Sequence, residues 1–166
     1  EVGRMLQDHG VYFFEEQCPW EDFEATKHVA DALDIPVAGG EQDSSYAKFR
    51  WMVHNHAVDI VQPDVIYNGG LIRTSRVARL AAAANMDITP HAPQPGYHAA
   101  YMLHFASVTA NLGRFQEYLA ARFEQPSWYG PQPQVRNGAV RVPNGPGMGI
   151  TIDAKFLEKA ESLGRR

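Results

Sequence analysis

Five acid/base residues recur down this chain at nearly one interval: Glu15, Glu41, Asp64, His91 and Glu117, spaced 23 to 27 residues apart. Each directly follows a short apolar run, and each run leads into a stretch of helical periodicity. The interval is about the length of one strand–loop–helix unit. Groups at successive strand ends collect at one end of a parallel sheet, where α/β enzymes keep their active sites.

The units can be followed one by one. Val11–Phe14 predicts a strand ending at Glu15-Glu16, and Phe23, Lys27, Ala30 and Leu33 predict a helix that Asp22 caps. Ile35–Ala38 predicts the next strand, with Gly39-Gly40-Glu41 as its exit and a helix through Tyr46, Phe49 and Val53. The third unit runs from Val58–Val61 through Gln62-Pro63-Asp64 and Gly69-Gly70 to a helix marked by Val77, Leu80, Ala81 and Ala84. Asp87–Thr89 delivers Pro90-His91. A helix through Ala99, Met102, Leu103 and Ala106 follows a region where Pro93, Pro95 and Gly96 forbid regular structure. Phe115–Tyr118 predicts a fifth strand carrying Glu117. Residues 124 to 149 are then rich in Pro and Gly, with Asn137-Gly138 reading as a hairpin turn between Val135 and Val140. A helix from Asp153, with Phe156, Leu157, Ala160 and Leu163 on one face, closes the chain.

Repeated βα units point to a partial (β/α)8 TIM-type barrel of about five units, because the complete fold takes about 250 residues and this chain has 166. Residues 1 to 10 read as the last turns of a helix (Val2, Met5, Leu6, then Gly10 at a C-cap position), which places the missing strands on the N-terminal side. The division expected is a partial barrel domain over 1–122 and a C-terminal hairpin and helix over 123–166. An open doubly wound sheet is the structural alternative; its crevice does not naturally collect side chains from five successive strand ends.

Composition narrows the function. A net charge of −4 offers no basic patch for a phosphate backbone, so nucleic acid is not an expected partner. No apolar run approaches the roughly 20 residues of a membrane helix, and Cys18 stands alone, so no internal disulfide can form. A cytoplasmic protein without membrane contact is the expectation.

Glu15 and Glu41 end neighbouring strands. Two carboxylates held so close repel, and a divalent cation relieves that conflict; hard oxygen ligands suit Mg²⁺. The alternative for Glu15-Glu16 is an acidic loop facing water, and its recurrence as Glu41 in a glycine loop weighs against it. Asp64 and His91 end the next two strands, where Asp64 can hold an imidazole nitrogen and raise its proton affinity. Glu117 is either a partner that stabilises a developing oxyanion or a buried structural glutamate. His54 and His56 fall near a helix C-terminus, and His28, His98 and His104 on helical stretches, where no chemical role is needed.

The motifs Phe14-Glu15-Glu16-Gln17, Gly40-Glu41-Gln42, Gln62-Pro63-Asp64 with Gly69-Gly70, Thr89-Pro90-His91 and Phe115-Gln116-Glu117 resemble, in order, the mandelate racemase group of the enolase superfamily, and Pro143-Asn144-Gly145-Pro146-Gly147 is similar to its tail. Gln17 departs from the proline the family often has there. The resemblance implies a TIM-type barrel with a capping domain, against one of which residues 123–166 would pack. It implies Glu15 and Glu41 as the second and third Mg²⁺ ligands, His91 and Asp64 as a catalytic dyad, and Glu117 facing the enolic oxygen of a substrate carboxylate. The first metal ligand, the lysine-bearing strand and the capping domain have no counterpart in these residues.

What the resemblance implies is a Mg²⁺-dependent carbon–oxygen lyase that removes the proton alpha to the carboxylate of an acid sugar and expels the β-hydroxyl. Two alternatives stay open. One is a racemase or epimerase of 2-hydroxy acids, and the other a non-catalytic piece that completes a barrel with another chain, because exposed strand edges favour pairing. The partners expected are a small acid-sugar substrate and either a second copy or the missing N-terminal part.

Overall fold

The computed structural model of the chain describes residues 1–93, 97–118 and 127–159. Helix α1 (Val2–Asp8) opens it and ends at His9, followed by Gly10 at φ +68°. This is the left-handed turn at which glycine commonly stops a helix. The residues then fall into two compact units: Glu1–Ala92 with Val108–Glu117, and Pro93–Ser107 with Tyr118–Arg166. In this division Pro93–Ser107 clusters with the later residues.

In the first unit, β1 (Phe14–Glu15), β2 (Val37–Gly39), β3 (Ile60–Val61) and β4 (Asp87–Ile88) form a parallel sheet in the order β1-β2-β3-β4. Glu15 stands opposite Ala38, Ala38 opposite Ile60, and Ile60 opposite Asp87. Helices α2 (Phe23–Asp31), α3 (Tyr46–His54) and α4 (Leu71–Ala83) make the crossovers that parallel pairing demands. Strands that neighbour in sequence neighbour in space throughout, whereas a doubly wound sheet reverses its order at the ligand crevice. The α/β class and sequential winding expected from the sequence are present.

The elements form where local chemistry favours them. Asp22 accepts the Ala25 N–H at 2.9 Å and so caps α2, as its position predicts. Both β2 and β3 are buried over their whole length, so Val37, Ala38, Ile60 and Val61 read as continuous apolar runs without alternation. Phe49 and Met52 of α3 and Val77 and Ala81 of α4 are buried with them as the core.

The fifth strand is displaced. Phe115–Tyr118 forms no strand; the chain meets β4 earlier, where Leu112 bridges Ile88 in parallel. Ile88 N–H donates to Asn111 O, and Gly113 N–H to Ile88 O, both at 2.9 Å. Past that point the Gln116 side-chain amide donates to the Gly113 carbonyl at 2.8 Å. The chain bends at Arg114, and residues 115–118 carry no strand pairing.

In the second unit, α5 (Tyr97–Val108) buries Ala99, Ala100, Met102, Leu103 and Phe105, and β5 (Tyr129–Gly130) pairs antiparallel with β8 (Thr151–Ile152). The expected hairpin is present: β6 (Val135–Arg136) and β7 (Ala139–Val140) pair around Asn137 and Gly138 at φ +52° and +73°, the geometry of a type I′ turn. Asp153 caps α6 (Ala154–Leu157) by accepting the Lys155 N–H. Trp128 stacks on Phe156, ring centroids 4.6 Å apart. Ala160 and Leu163, expected on the same helix, lie outside the described residues. Among the described residues, no helix is long and apolar enough to cross a membrane.

A Cβ at Gly113 would collide with Thr89 Oγ1. Gly113→Ala is therefore expected to destabilise the first unit by about 1–3 kcal/mol, read as a lower urea midpoint at unchanged slope. A neutral substitution would show that Leu112–Gly113 does not dock on β4.

Candidate active site

The first unit brings the five predicted residues to one end of its sheet. Glu15 lies within β1 itself, Glu41 two residues beyond β2, and Asp64 and His91 three residues beyond β3 and β4. In a parallel sheet these positions share an end, and short loops of Gly and Pro turn each chain back to its helix. At Gly40, φ is +109°, a conformation open to glycine and strained for other residues. It aims the following Glu41 side chain.

Asp64 is buried, 1% exposed, and its carboxylate accepts three hydrogen bonds. His91 Nδ1–H donates to Oδ2 at 3.0 Å, while Ile66 N–H and Tyr67 N–H donate to Oδ1 at 2.6 and 2.8 Å. With Nδ1 bonded to the carboxylate, Nε2 becomes the basic nitrogen of the neutral ring. Nε2 faces Glu41 Oε2 at 3.5 Å and Glu117 Oε2 at 3.9 Å. Glu117 Oε2 also accepts the Ala92 N–H at 2.8 Å. Four of the five predicted groups thus meet around one imidazole.

The electrostatics follow. Burial opposes charge on His91, but the bond to Asp64 and the charges of Glu41, Glu117 and Asp64 outweigh it, and its pKa stands above the ordinary 6.5. Burial likewise works against the Asp64 carboxylate. The bonds from His91, Tyr67 N–H and Ile66 N–H overcome it and hold its pKa below the ordinary 3.8. Burial pushes Glu41 upward; His91 and Gln42 pull it down, and the nearby charges of Glu16 and Glu15 add to the rise. The carboxylate repulsion expected for Glu15 and Glu41 is felt at Glu41.

Glu15 is exposed, and its Oε2 accepts the Gln62 Nε2 amide at 3.0 Å. Glu15 and Glu41 are hard oxygen donors of the kind Mg²⁺ takes. Among the described residues no group of three His, Cys, Asp or Glu side chains is placed to hold a metal ion. The two carboxylates fit part of such a site in donor type and charge.

Three contacts escaped the sequence. Glu16 adopts φ +48° and accepts the Gly40 N–H at 3.0 Å, tying the first site loop to the second. Tyr67 places its ring 6.2 Å from that of His91. Lys48 pairs with buried Asp43 at 3.0 Å and lies over the Trp20 ring, so the loop after Glu41 is anchored to the loop after Glu15. Glu16 carried a signal, a second carboxylate beside a ligand-type residue; the others depend on cross-loop geometry that no local pattern announces.

Comparison with known proteins gives the family. The chain is 30% identical to an arabinonate dehydratase of Saccharolobus solfataricus over 95% of its own length and 42% of the relative's. It is 33% identical to a D-galactarolactone cycloisomerase of Agrobacterium fabrum, over 94% of this chain and 43% of that one. A solved structure from Roseobacter denitrificans, provisionally described as a racemase, superposes with a TM-score of 0.87 at 36% identity, covering 96% of this chain and 45% of that one. The chain thus spans less than half the length of these relatives. Residues 1–156 match the enolase C-terminal domain-like family, and with its sequential parallel sheet and strand-end acid/base set the chain belongs to that family and to the enolase superfamily.

Proposed function

We propose that this chain carries the general-base half of a Mg²⁺-dependent sugar-acid dehydratase site, within a TIM-type barrel. The carrying observation is the His91 imidazole, fixed through Nδ1 by Asp64 and presenting Nε2 to Glu41 and Glu117. His91 Nε2 takes the proton alpha to the substrate carboxylate. Asp64 holds the ring in the tautomer that leaves Nε2 basic and stabilises the imidazolium formed. The β-carbon–oxygen bond then breaks, the hydroxyl leaves with a proton as water, and the enol product rearranges to a 2-keto acid. Glu117, fixed by the Ala92 N–H, faces the enolic oxygen. Glu15 and Glu41 would hold the Mg²⁺ ion, which supplies positive charge beside the substrate carboxylate.

A racemase reading shares the first step and is favoured by the provisional description of the Roseobacter denitrificans structure. The two separate by product. Acid sugars are incubated in D₂O with the chain, alone and joined to the remaining length that its relatives carry, and followed by NMR. A 2-keto product supports dehydration; deuterium at C2 with inversion and no keto product supports epimerisation. Neither outcome with the joined protein would sink both.

His91→Asn is expected to lower C2 proton exchange at least about 100-fold while Mg²⁺ affinity by titration calorimetry stays within about threefold. A large loss of metal binding instead would show the residue misassigned.

The dyad also predicts a pH dependence in the chain free of metal. His91, with a folded pKa above 6.5, contributes stability that is complete below about pH 6.5 and lost as pH rises through that raised value. Asp64, with a folded pKa below 3.8, contributes stability complete above about pH 4 and lost as pH falls through the depressed value. Thermal unfolding should show both contributions at full strength from about pH 4 to about pH 6.5. Asp64→Asn should lower the His91 pKa, followed by imidazole NMR, and flatten that profile. An unmoved His91 titration in the variant contradicts the dyad.

A further inference from the structure

Gln62 follows β3 and Glu15 ends β1, so β2 lies between them. Their side chains meet regardless, Gln62 Nε2 donating to Glu15 Oε2 at 3.0 Å. The span is open because the intervening backbone carries Ala38, Gly39 and Gly40, with nothing larger than a methyl group above it. Gln62 is 5% exposed, whereas Glu15 is exposed. The amide orientation is set by charge: reversed, it would press its carbonyl oxygen against the carboxylate. Gln62 Oε1 is consequently turned the other way, buried and without a hydrogen-bond partner among the described residues. A buried glutamine that leaves one end unpaired is costly; here the cost is borne where the other end reaches the first glutamate of the acid/base series. Both residues line one concavity of about 240 Å³, together with Thr89, Gln116 and Glu117.

We propose that Gln62 is a positioning residue that acts through Glu15, fixing its carboxylate by one oxygen so that the other remains free to meet a cation. The inference rests on the reading of Glu15 as a metal ligand. Partners that orient a ligand in this way alter metal affinity or activity about 10–100-fold when lost. A merely structural glutamine would change stability without moving either the carboxylate or the ion.

Two measurements on the whole chain separate these cases. In the first, without metal, the Gln62 side-chain amide is assigned by NMR in the wild type and in Glu15→Ala. Expected is a change in the amide's shift and exchange rate in the variant; an amide that ignores Glu15→Ala overturns the proposal. In the second, Mg²⁺ alone is titrated into wild type, Gln62→Met, Glu15→Gln and the double variant. Expected is an affinity about tenfold weaker in Gln62→Met at a melting temperature within a few degrees, with no further loss when it is added to Glu15→Gln. Wild-type affinity in Gln62→Met alongside a clear loss in Glu15→Gln overturns the positioning role and leaves Glu15 a ligand. If Glu15→Gln binds as the wild type does, or the wild type binds nothing, the metal reading itself falls, and with it the role of Gln62, whatever the first measurement shows of their contact.

Discussion

The Asp64 carboxylate is the point on which the site turns. One of its oxygens gathers the N–H groups of Ile66 and Tyr67 and so closes the turn after β3; the other takes the imidazole delivered by β4. A single buried anion therefore fixes the shape of one loop and the tautomer of a base carried by another. Losing either set of bonds without water to replace it would leave a buried anion short of donors, which is why such a group is kept only where it is hydrogen-bonded. Two backbone donors share one Asp64 oxygen and the ring donor takes the other. The orientation of His91 Nε2, and hence its approach to Glu41 and Glu117, follows from this.

Around that centre the chain accumulates like charge. Glu15, Glu16, Glu41, Asp64 and Glu117 all belong to one end of one sheet, against a single histidine. Each carboxylate is handled differently. Glu16 is held by the Gly40 N–H, Glu117 by the Ala92 N–H, Asp64 by three donors and Glu15 by an amide. Glu41 accepts from Gln42 and approaches His91, but these do not offset burial and the neighbouring charges, and its pKa rises. A group left in that state is what a site built to receive a cation would contain, because bringing in positive charge removes a repulsion already present.

Much of this arrangement was legible in the residues. The even spacing of five ionisable groups implied a common sheet end, since parallel strands joined by helices repeat at that interval. The α2 cap at Asp22 and the turn at Asn137-Gly138 were legible because they depend on two to four adjacent residues. Strand limits were less so. The apolar run Val11–Phe14 suggested a strand beginning at Val11, yet pairing starts at Phe14, because parallel register is chosen by the neighbouring strand and not by the run itself. Phe115–Tyr118 had strand composition, but Gly113 lets the backbone approach Thr89 and β4 closely, and the chain bends at Arg114 before it reaches Phe115. Composition describes which residues tolerate a strand; contact decides where one forms. For the same reason the bond from Gln62 to Glu15 was illegible, as it requires the two residues to stand on either side of a strand of alanine and glycine.

The proposed chemistry also explains why one base can serve more than one outcome in this superfamily. Removing the proton alpha to a carboxylate converts His91 to an imidazolium held by Asp64, with its new proton on Nε2. If a hydroxyl sits on the adjacent carbon on the same face, that proton is available to the departing oxygen, and a single histidine can act as base and then as acid. Epimerisation asks for something different: a donor on the opposite face of the planar intermediate, which Nε2 cannot reach without the substrate turning over. The fixed ring geometry that would let His91 act as the base would therefore also commit it to one face. On this reading the choice between dehydration and racemisation is settled by what stands across the substrate from His91, and the part of the site formed by these residues is common to both.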